Sequence, residues 1–135
     1  MKVRLRSNSI RLRLTQNDLD RFIQTGEIEE TIAFGPGPGE QFVYRLANTT
    51  DQQMHAVFDD CRITVFVPYK IGGDWTESGQ VGAEAEQKIG GGKILRILVE
   101  KDFACLKPRH GDEDKDTFPH PLMMTPLPSV GSAHV

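Results

Sequence analysis

KVRLRSNSIRLRLTQ, residues 2–16, decides the fold. Val3 and Leu5 alternate with Arg4 and Arg6, and a period of two marks a half-buried strand. At Ser7-Asn8-Ser9 the apolar phase slips by one, and Ile10, Leu12 and Leu14 take over. A one-residue slip would turn the following side chains to the wrong face, so the chain must kink, bulge or turn there. The slip also keeps Arg4, Arg6, Arg11 and Arg13 together on the non-core face.

The same pattern returns further along. Sliding the chain by 53 residues lays 1–48 over 54–101 without a gap. Val3, Leu5, Ile10, Leu12, Leu14 and Phe22 fall on Ala56, Phe58, Ile63, Val65, Val67 and Trp75. Ile28, Ile32, Phe42, Tyr44 and Leu46 fall on Val81, Ala85, Leu95, Ile97 and Val99. Gly26, Gly37 and Gly39 meet Gly79, Gly90 and Gly92, so the breaks coincide as well as the strands.

Each copy reads as strand, strand, short helix, strand, strand. Thr15 can cap the first helix, with Asp18 three residues on as an approximate capping box. Leu19, Phe22 and Ile23 give that helix one apolar stripe, and Gly26 suits its C-terminal stop. The second helix is weaker: Pro68 is tolerated in a first turn, but Gly72 and Gly73 each cost on the order of 1 kcal/mol relative to Ala. Trp75 is its main anchor, and the expected helix is short, at the least one irregular turn. GPGPG (35–39) and IGGG (89–92) then connect the later strands. Ile94–Val99 is apolar on both faces apart from Arg96, which predicts a central strand.

Two such units that interleave make a small closed barrel with pseudo-twofold symmetry. The expected fold is mainly β with two short helices, an internally duplicated (ββαββ)×2 swapped-hairpin barrel, a pseudo-dimer within one chain. Residues 1–106 form the barrel domain, with repeats at 1–48 and 54–101. Phe22, Trp75, Ile63, Val65, Val67, Leu95, Ile97 and Val99 are expected in its core. Residues 107–135 carry an acidic cluster and frequent proline without periodicity, which reads as an extended or flexible tail.

SNSIRLRL (7–14) and CRITVFVP (61–68) resemble the two halves of the GNS-x-x-V-R-I-P signature that opens AbrB and MazE transcription factors and antitoxins. Gln80-Val81 and Gly92-Lys93-Ile94-Leu95-Arg96-Ile97 resemble that family's later strands, so the likeness covers roughly residues 1–101. It implies hairpins exchanged between two units, here fused. It also implies DNA contact through basic residues of the first strands, for which Arg4, Arg6 and Arg13 are the nearest matches. Antitoxins of this type wrap a partner with an acidic tail, and residues 107–128 have a comparable make-up. NSIRLRLTQNDL and VGAEAEQKIGGGKILRILVEKDFACL also resemble a small uncharacterised bacterial family, which adds no activity.

Sixteen Lys and Arg against nineteen Asp and Glu leave a net charge of −3, which argues against a surface that is basic all over. The basic residues are concentrated instead: Lys2, Arg4, Arg6, Arg11 and Arg13 occur in the first thirteen residues with no acid among them. Clustered guanidinium groups can hold phosphates through bidentate hydrogen bonds and counterion release. They can equally pair with acids on neighbouring strands, and Glu27, Glu29 and Glu30 are available. In the second copy Val57, Asp59 and Asp60 stand in the same region, so a symmetric two-site reader is not preserved.

Other chemistry has thinner support. Cys61, Cys105, His55, His110 and His120 lack CxxC or HxxxH spacing, and no metal or other cofactor is expected. Asp112, Asp114 and Asp116 begin like a calcium loop, but Thr117 and Met123 break its pattern. Gly90-Gly91-Gly92-Lys93 is followed by Ile94 where a Walker loop needs Ser or Thr. No nucleophile elbow occurs, so no enzyme is expected. Two cysteines fit a reducing compartment, and no apolar run matches a membrane span or a signal peptide. The expectation is a cytoplasmic, monomeric, non-enzymatic binding protein. It would use Arg4, Arg6, Arg11 and Arg13 on nucleic acid, duplex DNA first. The alternative is an interaction module that takes a protein partner through residues 107–128.

Overall fold

The phase slip at residues 7–9 is a tight hairpin. Arg6 pairs with Ser9 across a two-residue turn in which Ser7 has φ +52°. The corresponding turn of the second half joins Asp59 to Arg62, with Asp60 at +54° and Cys61 at +57°. The computed structural model describes residues 1–77 and 81–102. Its strands are β1 (Lys2–Arg6), β2 (Ser9–Leu14), β3 (Glu27–Ala33), β4 (Gln41–Thr49), β5 (His55–Asp59), β6 (Arg62–Pro68), β7 (Gly82–Gly90) and β8 (Lys93–Lys101). Helix α1 (Gln16–Thr25) follows β2, a 3-10 turn (Pro38–Glu40) precedes β4, and helix α2 (Tyr69–Glu77) follows β6.

The first helix starts as its sequence predicts. Thr15 Oγ1 accepts the Asp18 N–H at 3.2 Å, and Asp18 Oδ2 accepts the Thr15 N–H at 3.0 Å, which closes a capping box. Gly26, in the left-handed region, ends it with an N–H bonded to the Phe22 carbonyl at 2.8 Å. Phe22 is buried and Leu19 half-buried, but Ile23 points to the exterior, so the apolar stripe is narrower than expected.

The second of the two expected helices is present and longer than its glycines suggest. It spans Tyr69–Glu77 as a regular α-helix. The reason lies in packing that the propensity argument leaves out. A Cβ at Gly72 would come within 3.3 Å of Asn48 Oδ1 and 3.5 Å of Val67, so the glycine lets the helix sit close to β4 and β6. Trp75 is fully buried, donates from Nε1 to the Val81 carbonyl at 2.9 Å, and meets Phe22 at 6.5 Å between ring centroids.

The strands form two four-stranded sheets, in the orders β1-β2-β8-β7 and β3-β4-β6-β5. Each sheet takes one hairpin from the first half of the chain and one from the second. The hairpins join through parallel central pairs: β2 with β8, Ser9 beside Arg96 through Leu14 beside Lys101; and β4 with β6, Val43 beside Arg62 through Thr49 beside Pro68. The expectation of a central Ile94–Val99 strand agrees with β8 lying between β2 and β7. A closed barrel is not found among the described residues. Side chains, instead of a backbone ladder, bridge the sheet edges. At one seam Gln87 of β7 holds both the N–H of Ala56 (2.7 Å) and its carbonyl (3.1 Å) on edge strand β5. At the other, the Met1 ammonium bonds Glu30 of β3 at 3.0 Å, and the Tyr44 hydroxyl donates to the Met1 carbonyl at 3.1 Å.

Between the sheets and helices lie Leu12, Leu14, Phe22, Leu46, Val65, Val67, Trp75, Ile97 and Val99, all essentially without solvent contact. The expected core is in place except for Leu95, which is half-buried against it. Gly82 fits β7 closely to β8: an added Cβ would stand 2.8 Å from the Val99 carbonyl and 3.0 Å from the Glu100 Cβ. Gly82→Ala should therefore destabilise the fold by about 1–3 kcal/mol through forced separation of the strands, measurable by urea denaturation.

Asp18 joins the helix cap to the amino terminus. Its carboxylate lies 2.8 Å from the Met1 ammonium and 2.8 Å from Arg21 Nη2, and it is 5% exposed. Burial alone would raise its pKa. The Met1 ammonium, the Thr15 N–H, Arg21 and the Thr15 hydroxyl outweigh burial and hold the carboxyl well below its ordinary 3.8. Burial pulls the Met1 ammonium down in turn, but Asp18 and Glu30 prevail and raise it above its ordinary 8.0. The signs oppose each other. The stability from Asp18 is present above 3.8 and is lost as pH falls through its depressed value. The contribution of Met1 is present below 8.0 and is lost as pH rises through its raised value. Asp18→Asn should cost about 2 kcal/mol at neutral pH and flatten the acid limb of the stability curve. An unchanged acid limb would place the titration elsewhere.

Candidate nucleic-acid interface

The β1–β2 register determines what the arginines can do. Lys2 stands opposite Arg13, Arg4 opposite Arg11, and Arg6 opposite Ser9. Cross-strand partners share a face, so all five basic side chains emerge on the outer side of the sheet, while Val3, Leu5, Ile10, Leu12 and Leu14 take the inner side. The tight turn at Ser7 allows this, because it absorbs the phase slip without a twist of the second strand out of register.

The face continues across the sheet in rows. Arg4 and Arg11 lead to Leu98 and then Glu84; Arg6 and Ser9 lead to Arg96 and then Glu86. Lys2 and Arg13 lead to Glu100 and then Gly82. Positive charge gathers on β1 and β2, and the carboxylates stand on β7 and β8. A groove of about 520 Å³ crosses the middle, lined by Ser9, Arg11, Leu98, Arg96, Glu84 and Glu86 among others.

The four arginines are not equivalent. Arg11 donates from Nε (2.8 Å) and Nη2 (2.6 Å) to a single oxygen of Glu100. Arg13 Nε lies 3.2 Å from that same oxygen, and its Nη2 lies 3.6 Å from Asp102, which also faces Lys2 at 3.3 Å. Glu100 is thus shared. The buried Arg13 Nε is left without a hydrogen bond among the described residues. Arg4 is exposed and forms no ion pair among the described residues, and Arg6 is exposed beside it.

Among the described residues, the acids that meet Arg11 and Arg13 are therefore Glu100 and Asp102, not the β3 carboxylates. Glu27 pairs with Arg45, Glu29 approaches Arg62 at 3.5 Å, and Glu30 serves the amino terminus. Reading these partners from sequence would have needed the parallel register of β2 with β8, two segments far apart in the chain. The corresponding hairpin β5–β6 exposes Val57, Asp59 and Arg62, with Thr64 on the same face but buried, so the basic strip has no counterpart on the second sheet.

The remaining candidates contribute little here. Cys61 is exposed in its turn, and His55 stacks on Phe66 at 5.1 Å with its Nδ1 near the Gln53 carbonyl. Cys105, His110, His120 and the segment 107–128 lie outside the described residues, as do Asp112, Asp114 and Asp116. No group of three or more His, Cys, Asp or Glu side chains is gathered among the described residues. No described helix is long and apolar enough to cross a membrane.

No curated protein and no solved structure matches this chain. A family model does match, over residues 1–122. The chain with the two-sheet fold and the basic β1–β2 face belongs to a family of unknown function, DUF7009.

Proposed function

We propose that the protein is a non-enzymatic binding protein that holds nucleic-acid phosphates on the β1–β2 face through Arg4, Arg6, Arg11 and Arg13. The observation that carries this reading is the gathering of five basic side chains on one face of one hairpin. A phosphate oxygen would compete with Glu100 for Arg11 and Arg13. The exchange of hairpins between the two halves supports an internal duplication of the AbrB/MazE kind. A duplication would close within one chain the interface that separate subunits form in that family, so the protein acts as a cytoplasmic monomer.

The test is binding to duplex DNA at several salt concentrations. Arg4→Ala removes no ion pair among the described residues and leaves the core untouched. It should lower the slope of log affinity against log salt by about 0.9 while leaving thermal stability unchanged. An unaltered slope would remove Arg4 from the interface.

A second reading is favoured by Asp59 on the otherwise corresponding hairpin and by the pairing of Arg11 and Arg13 with acids. In it the barrel-like unit has no nucleic-acid role, and residues 107–128 take a protein partner. Deletion of 107–128 should then abolish capture of that partner, and an unchanged pull-down would end this reading.

A further inference from the structure

We infer that the occupant of the outer groove is a base of single-stranded nucleic acid, with its phosphate on the β1–β2 arginines. The inference rests on the phosphate-binding reading and adds which form of nucleic acid is bound.

The groove is bipolar, and a duplex laid across it would bring phosphates onto Glu84 and Glu86 as well as onto the arginines. Like charges so placed repel, so the acidic wall opposes a backbone and needs a different group. An unstacked nucleotide supplies one. Along the row Arg4–Arg11–Leu98–Glu84, guanidinium groups come first, an apolar side chain second and a carboxylate last. The row spans three strand spacings, roughly 14 Å. A nucleotide extended along it would put phosphate on Arg4 and Arg11, a base over Leu98, and the base's amino group on Glu84. The neighbouring row runs Arg6, Ser9, Arg96 and Glu86, with Arg96 Nε 3.4 Å from Glu86 in an exposed pair, and the Arg96 guanidinium offers a planar surface against a base. A carboxylate accepts from the exocyclic amino groups of adenine and cytosine, which thymine and uracil lack. The groove volume of about 520 Å³ lies within the range of small-molecule sites.

The experiment is fluorescence anisotropy of the full chain with short dA, dC and dT homopolymers, their RNA equivalents, and a duplex of the same length. Single strands should bind about tenfold tighter than duplex, with dA and dC ahead of dT, because each stacked base contributes what a paired base cannot. DNA and RNA of one sequence should bind alike if phosphate and base make the contacts; a preference for RNA would assign a contact to the 2′-hydroxyl and still support the inference. Glu84→Ala with Glu86→Ala, which removes the acceptors as well as the charge, should bring the dC-to-dT ratio close to one while overall affinity holds or rises, since negative charge is removed. Equal binding of duplex and single strand, or a base preference that survives the double substitution, would overturn the inference and leave phosphate binding standing. No binding of any probe would overturn both.

Discussion

Trp75→Ala should lower the unfolding free energy by about 4 kcal/mol, the largest single effect expected in this molecule. The indole is fully buried, stands against Phe22, and donates its one N–H to the Val81 carbonyl. Truncation leaves a cavity that the surrounding β-sheet residues cannot fill, and it removes one of two hydrogen bonds at the Val81 carbonyl, which still accepts from the Lys101 N–H at 2.8 Å. It also removes the fully buried anchor of α2 and leaves the half-buried Ile71 to offset Gly72 and Gly73. Trp75→Phe separates these terms, since it keeps most of the volume and loses the hydrogen bond. It should cost about 1–2 kcal/mol. Chemical denaturation of both variants checks the pair. A loss below about 1 kcal/mol for Trp75→Ala would mean that α2 does not hold the second half of the chain together.

Glu100→Gln should strengthen nucleic-acid binding, an effect opposite to that of most substitutions at a charged site. One oxygen of Glu100 occupies Arg11 twice over and stands beside Arg13. Neutralising it frees two guanidinium groups for phosphates. The salt slope should then steepen by roughly 1.8, about 0.9 for each phosphate gained, and low-salt affinity should rise about tenfold or more. A cost in stability accompanies the gain, because Arg11 loses a charge-assisted bond in a partly buried setting, on the order of 1–2 kcal/mol. Salt titrations of wild type and variant side by side decide the matter. If the substitution destabilises the protein yet leaves affinity and slope unchanged, the Arg11 and Arg13 pairs are structural and the interface reduces to Arg4 and Arg6.

Much of this architecture was legible in the residues because short-range physics determined it. The slip at Ser7-Asn8-Ser9, the Thr15–Asp18 capping box and the alternation of Ile10, Leu12 and Leu14 each involve neighbours within a turn or two. The central place of β8 followed from its apolar faces. What escaped the sequence depends on contacts between distant segments. Glu100 and Asp102 meet the arginines only because β2 lies parallel to β8 in one particular register. Helix α2 tolerates its glycines because Gly72 packs against Asn48 and Val67, which no propensity scale contains. Gln87 closes a seam by imitating a strand's backbone groups, and nothing in its neighbourhood of the sequence announces that role. The clustering of Arg4, Arg6, Arg11 and Arg13 was readable; their unequal availability was not.

The central claim is that the β1–β2 face neutralises phosphates. Its most direct test is a salt titration of the intact protein with random nucleic acid, followed by anisotropy from about 50 mM salt upward, where phosphate contacts are strongest at the start. The account predicts binding that weakens linearly in log–log form, with a slope corresponding to about two phosphates while Glu100 holds Arg11 and Arg13, and to about four once that carboxylate is neutralised. Absence of binding at the lowest salt, or affinity that does not change with salt, would contradict it.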